Sequence, residues 1–137
     1  MITKTKLLKK ALPKEEQVSG WNRWQNNEYN YDTRAYTYPP KPKNIVILID
    51  YYHYENYEGY GYVLGYNKDT KQFFEVHGGH CSCYELEGQW EEEYTTLEEI
   101  KLHTEKQLKA LEEKEYKYSD DEETLDRLTQ IKDLLEI

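Results

Sequence analysis

Three adjoining pieces constrain this chain more than any other feature: Tyr60-Gly61-Tyr62-Val63-Leu64-Gly65-Tyr66, then Asn67-Lys68-Asp69-Thr70, then Gln72-Phe73-Phe74-Glu75-Val76-His77. Asn, Asp and Thr turn the backbone by bonding to amides two residues on, and the flanking stretches are rich in aromatic and β-branched residues. Together they predict an antiparallel hairpin. A lone hairpin is marginal in water, so the rest of the chain must supply further strands or a covering layer.

Asn44-Ile45-Val46-Ile47-Leu48-Ile49 has strand length, and its nearly unbroken apolarity implies burial on both faces, which predicts a central strand. Gly59, Gly61 and Gly65 imply a bulge or a close backbone approach, because glycine otherwise weakens a strand. Pro39, Pro40 and Pro42 form a stiff connector that separates the sheet from an Asn- and aromatic-rich arm, Trp21 to Tyr38. Leu7, Leu8, Ala11 and Leu12 among lysines predict a short amphipathic helix that stops near Pro13.

Beyond Trp90 the apolar spacing lengthens from two residues to about three and a half. Thr96 and Glu99 have capping-box spacing, and Leu97, Ile100, Leu108 and Leu111 form a stripe that runs to about residue 116. Ser119 and Glu122 repeat the box ahead of Leu125, Leu128, Ile131 and Leu135, so a short link, Lys117 to Asp120, joins two antiparallel helices. The expected fold is α+β and a single domain: an N-terminal basic helix and aromatic arm (1–43), a small mainly antiparallel sheet (44–95) and an acidic αα-hairpin (96–137).

Only 37% of the residues are hydrophobic and 15 are tyrosines, so part of the core must be rings whose hydroxyls need partners. The formal charge of −9 argues against direct binding of nucleic acid. It is unevenly spread. Five lysines and no acid lie in residues 1–14, whereas seven basic groups face eighteen acidic ones from residue 85 onward. Head-to-tail contact between the termini follows as an expectation. The chain lacks an apolar run of membrane-spanning length, a signal core and a disulfide framework, which points to a reducing cytoplasm.

His77, His80, Cys81 and Cys83 gather two imidazoles and two thiols, all donors that zinc accepts. Their spacing is poor for a structural site, and only His53 or His103 is left to complete an open one. The preferred reading makes the thiols small fillers beneath the aromatic layer, with no metal and no cofactor. Cysteine catalysis, with His77 or His80 as base and Glu85 as orienting group, lacks an oxyanion site. The carboxylates Glu91-Glu92-Glu93 and Asp120-Asp121-Glu122-Glu123 are first a solvated face and a helix start.

Ten tyrosines fall between Tyr29 and Tyr62, too many to be interior. Tyr51-Tyr52-His53-Tyr54 and Tyr60-x-Tyr62 set several rings on shared sheet faces, an arrangement suited to protein interfaces. The alternative is a nucleotide pocket, with Tyr52 and Tyr54 on the base, Arg23, Arg34 or Lys43 on phosphate, and the Gly78-Gly79 amides nearby. No dinucleotide or phosphate-loop glycine pattern supports it, because Gly59-x-Gly61-x-x-x-Gly65 has the wrong final spacing.

The segment His80-Cys81-Ser82-Cys83-Tyr84-Glu85-Leu86-Glu87-Gly88-Gln89-Trp90, preceded by a tyrosine-rich Gly-x-Gly-Tyr strand, resembles a recurring motif of small uncharacterised proteins from tailed bacteriophages. The likeness spans about residues 57–95. It implies a phage or prophage origin, a setting in which short acidic proteins block host enzymes or defence systems, some of them by mimicking DNA. It implies no catalytic residue. The expected function is therefore a non-enzymatic inhibitor of a bacterial nucleic-acid-handling or defence protein with a basic surface. Glu91, Glu92, Glu93, Asp120, Asp121, Glu122 and Glu123 would enter a basic groove, with Trp90 and Tyr94 as desolvated anchors.

Overall fold

The two sequence periodicities become two kinds of element in a computed structural model that describes residues 1–115 and 118–137. In chain order these are α1 (Lys4–Leu8), α2 (Lys14–Asn22), β1 (Glu28–Asn30), β2 (Ala35–Thr37), β3 (Ile45–Glu55), β4 (Glu58–Asn67), β5 (Gln72–His80), β6 (Glu93–Thr95), α3 (Leu97–Glu112) and α4 (Ser119–Leu135). The fold is mixed α+β, as the sequence implies, with one antiparallel sheet ordered β3-β4-β5-β6 and a second made of β1 and β2. The chain divides into two compact units, residues 12–94 and residues 1–11 with 95–137. Among the described residues, no helix is long and apolar enough to cross a membrane.

In the first unit the predicted hairpin is β4 and β5, with Val63 opposite Val76. Asn67 is buried at the turn, where its Oδ1 accepts from the amides of Asp69 and Thr70 at 2.9 and 3.3 Å. Asparagine does here what the turn sequence requires of it. One sheet face carries Ile47, Val63, Phe74 and Val76, and Trp21, Trp24 and Leu86 complete that core.

One expectation for this unit is corrected. The apolar run after Asn44 lies in an edge strand, not a central one. Its open edge is closed by a side chain: Gln17 Oε1 accepts from Ile47 N at 2.7 Å, and Gln17 Nε2 donates to Ile47 O at 2.6 Å. Leu12 N donates to the same carbonyl at 3.2 Å. A strand neighbour would satisfy the same groups, so the edge is buried without one. Of the two roles expected of the β4 glycines, close approach is the one observed, and the register irregularity falls in β3, between Ile47 and Ile49. A helix, α2, leads into the aromatic arm, and the arm itself forms a hairpin, β1 with β2; composition announced neither.

In the second unit Ile2 N donates to Leu135 O at 2.9 Å, and Lys10 Nζ lies 3.3 Å from Glu136 Oε1. Head and tail therefore touch, as the charge distribution implied. α1 ends at Leu8, well short of Pro13, which is the N-cap of α2. Leu97, Ile100, Thr104 and Leu111 are the buried face of α3, and Leu128, Ile131 and Leu135 that of α4. Thr96 Oγ1 caps α3 by accepting from Glu99 N at 3.2 Å, while the Glu99 carboxylate accepts from the Thr95 hydroxyl. The second cap falls one residue earlier than expected: Asp121 Oδ2 accepts from Tyr118 N at 3.0 Å, so Tyr118 and not Ser119 is the N-cap. Tyr116, Lys117 and the Ser119 side chain, on which part of the predicted link and box rested, lie outside the described residues.

Candidate functional site

The segment from Cys81 to Trp90 folds into a strap across one end of the sheet. Glycines make room for it: a Cβ at Gly61 would sit 2.5 Å from Leu86 Cδ1, and one at Gly78 would sit 2.5 Å from Trp24 Cζ3. Leu86 and the Trp24 ring thus lie against bare backbone, both completely buried. Gly88, at φ 76°, reverses the chain, and its amide donates to Trp24 O at 3.0 Å. Gln89 Oε1 accepts from Gly79 N at 3.0 Å, and its Nε2 donates to Glu85 O at 3.2 Å. Trp90 closes the strap by edge-on contact with Trp21, at 4.9 Å between centroids, and with Phe74 at 5.8 Å. Much of the motif is accounted for by this packing.

What the strap leaves exposed forms the rim of a cleft of about 300 Å³, lined by Tyr52, Tyr54, His80, Cys81, Ser82, Tyr84 and Glu85. The His80 ring is parallel to those of Tyr52 and Tyr54 within about 10°, with centroids 5.7 and 5.6 Å away. A carbonyl only accepts, so His80 Nδ1, 2.6 Å from Cys81 O, carries a proton. In the neutral ring Nε2 then accepts from the Tyr52 hydroxyl. Burial, reinforced by the negative charge of Glu85, raises the Tyr52 pKa and keeps that hydroxyl protonated.

Arg23 lies behind this wall, its guanidinium 4.8 Å from the Tyr52 ring centroid and its Nη1 2.6 Å from Asp50 Oδ1. Asp50 titrates above the ordinary carboxylate value because burial disfavours its charge more than Arg23 favours it. A second hollow, of about 370 Å³, shares Glu85 with the cleft and adds Glu87. The rim is thus acidic, and the arginine is already paired. Exposed rings beside carboxylates suit a cation held by cation–π attraction and charge, and they repel phosphate.

The candidate residues disperse as follows. Of the nucleotide set, Arg23, Tyr52 and Tyr54 come together, whereas Arg34 sits in the β1–β2 turn at φ 54° and lines neither the cleft nor the second hollow. His77 and His80 are three apart on one strand and point to opposite faces, so they cannot share an ion. His77 Nδ1 instead faces the Tyr60 hydroxyl at 2.7 Å. Among the described residues no three His, Cys, Asp or Glu groups converge as metal ligands. Cys81 and Cys83 are not fillers beneath rings, because β5 ends at His80 and both thiols are exposed. The Cys83 amide, 3.5 Å from Cys81 Sγ, lowers the Cys81 pKa.

The acidic residues divide between the two units. Glu91 and Glu93 are exposed, but Glu92 accepts from Trp90 Nε1 at 2.9 Å and from the Tyr94 hydroxyl at 2.7 Å. Of the two expected anchors, Trp90 is half-buried against the aromatic core, whereas Tyr94 is 45% exposed. Asp121 is occupied by its cap and by Lys114 Nζ at 2.7 Å, which leaves Asp120 and Glu122 as the exposed acids of that group; Glu123 is half-buried. Sequence reasoning gave Glu85 only a catalytic role and passed over Asp50. No protein-family model matches this chain, and no curated protein or solved structure matches it.

Proposed function

We propose that this protein is a non-enzymatic binding protein that engages a basic surface of a bacterial nucleic-acid-handling or defence protein, with tyrosine rings and carboxylates side by side. The observation that carries this reading is the strap cleft, where Tyr54 and Tyr84, 48% and 64% exposed, flank Glu85. An arginine or lysine entering there would exchange water for two ring faces and a carboxylate, the composition of interface hot spots. The β1–β2 hairpin adds a second aromatic surface in the same unit, with Tyr29 packed edge-on against Tyr31 and Tyr36 at 4.9 and 5.0 Å. The likeness of residues 80–90 to tailed-phage proteins supplies the bacterial setting, and inhibition is the consequence expected of such binding.

The test begins with capture of partners from a bacterial lysate on the tagged protein, followed by titration of the purified partner at low and high salt. Affinity should fall as salt rises, and Tyr84→Ala with Glu85→Gln should weaken it about thirtyfold, the scale of a hot spot. Charge reversal at Glu91, Glu93, Asp120 and Glu122 spares Glu92 and Asp121, which have structural partners. Binding that is indifferent to salt, to this reversal and to Glu85→Gln would sink the electrostatic reading and leave a tyrosine-centred contact.

A further inference from the structure

Along the outer edge of β3 the same unit carries a groove of about 680 Å³, within the range of roughly 300–1,000 Å³ typical of small-molecule sites. Its chemistry is opposite to that of the whole chain. Lys14, Lys41, Lys43 and Lys68 line it, and none of its lining residues is acidic, although the chain carries a net −9. Its floor is aliphatic: Leu12, Val18, Pro39, Pro40 and Ile45.

Two details show that this is more than a lysine-rich surface. Lys41 Nζ is drawn inward to the carbonyls of Pro42 and Ile45, which places an ammonium against the apolar floor. Burial, and secondarily the charge of Lys68, lower its pKa, and an anion beside it would relieve that repulsion. Gln17, the amide at the inner wall, spends both ends of its side chain on Ile47 and Leu12. Both of its amide hydrogens are therefore committed to backbone carbonyls, and Asn22 and Tyr38 are the other uncharged polar side chains of the lining.

We propose that this groove binds a free single-chain amphiphile with a phosphate head, its aliphatic body on the Leu12–Val18–Pro39 floor and its head among the four lysines. A phosphate monoester is favoured over a carboxylate because four ammonium groups and no acid reward the more highly charged head. The free molecule is favoured over a lipid in a bilayer because the aliphatic floor is useful only to a chain that lies along it, whereas a bilayer keeps its acyl chains and presents the head alone. The proposal is independent of the function proposed above, since the groove shares no residue with the strap cleft.

The test is calorimetric titration of the 137-residue chain with n-octyl phosphate, octanoate, octyl glucoside, inorganic phosphate and AMP, each below any micelle-forming concentration. Octyl phosphate should bind most tightly, at least about tenfold better than octyl glucoside or inorganic phosphate, because only it offers both halves. Lys14→Gln with Lys43→Gln and Lys68→Gln should weaken it about tenfold, Val18→Ser should weaken it less, and Lys101→Gln with Lys132→Gln in the other unit should leave it unchanged. These side chains are exposed, and a circular-dichroism melt checks that the variants fold. The proposal is overturned if octyl glucoside binds equally well, if the triple variant binds like the parent, or if AMP displaces octyl phosphate at equal affinity. Co-sedimentation with phosphatidic acid vesicles without octyl phosphate binding, or capture of a Glu-rich amphipathic peptide in its place, overturns it as well.

Discussion

At the strap end of the sheet, glycines withdraw their side chains so that Leu86 and Trp24 fill the space, and the segment that brings Leu86 also brings Tyr84 and Glu85 to the surface. Along the outer edge of β3 the neighbours are α2 and the proline connector. Gln17 and Leu12 satisfy the edge backbone at Ile47, and the space beyond stays open between lysines. One region is acidic and aromatic, the other basic and aliphatic, within residues 12–94. The difference teaches that the net charge of −9 describes neither surface. Each is set by what closes the backbone nearby: a strap that carries acids, or a helix and proline connector that carry lysines.

The sharpest way to separate the regions is to remove the plug from one. Leu86→Ala should cost about 2–5 kcal/mol, because a completely buried side chain leaves a cavity over glycines that cannot collapse into it. Gly61→Ala, whose Cβ would otherwise strike Leu86 Cδ1, should be less harmful in that background than in the parent, a coupling visible in a urea double-mutant cycle. Partner binding through the strap should weaken while octyl phosphate binding persists. Additive losses would mean that the strap is held by its hydrogen bonds and not by Leu86.

The hairpin, the helical pair and the first cap were legible in the sequence because each depends on neighbours within a few residues: the Asx turn at Asn67, the stripe from Leu97 to Leu111, the bond between Thr96 and Glu99. What escaped depends on distant partners. Ile45 to Ile49 is apolar on both faces, as a central strand would be, yet its edge is closed by an amide thirty positions upstream. α2 has no apolar stripe, and its inward residues are Gln17, Gly20 and Trp21, which sequence periodicity does not recognise. Tyr52, Tyr54 and Arg23 were marked for their types, but the pairing of Arg23 with Asp50, which removes it from phosphate binding, joins residues 27 apart.

Gln17→Ala is the corresponding attack on the β3 edge. It leaves the Ile47 amide without its acceptor, so the expected cost is about 1–3 kcal/mol, below that of Leu86→Ala. Hydrogen exchange at Ile47 should accelerate while the amide of Val63 in the sheet interior stays protected. Octyl phosphate should bind less well, because α2 forms one wall of the groove. An Ile47 amide that remains as protected as in the parent would show that the Gln17 side chain is not what shields the edge.

The smallest effect concerns Asp50, on the same face between the two regions. Its carboxyl titrates above the ordinary 3.8 in the folded chain, because burial outweighs the attraction of Arg23 and the nearby Glu16 adds repulsion. Between the unfolded and folded pKa values the folded state therefore holds more of this proton, so the Asp50 contribution to stability falls as pH rises through that window, from about pH 4 upward. Asp50→Asn keeps an acceptor for Arg23 and cannot ionise. Urea midpoints across the window should show the parent losing stability relative to Asp50→Asn as pH rises. If the difference runs the other way, Arg23 rather than burial governs this charge, and the ion pair behind Tyr52 is a net support of the strap end rather than a cost borne there.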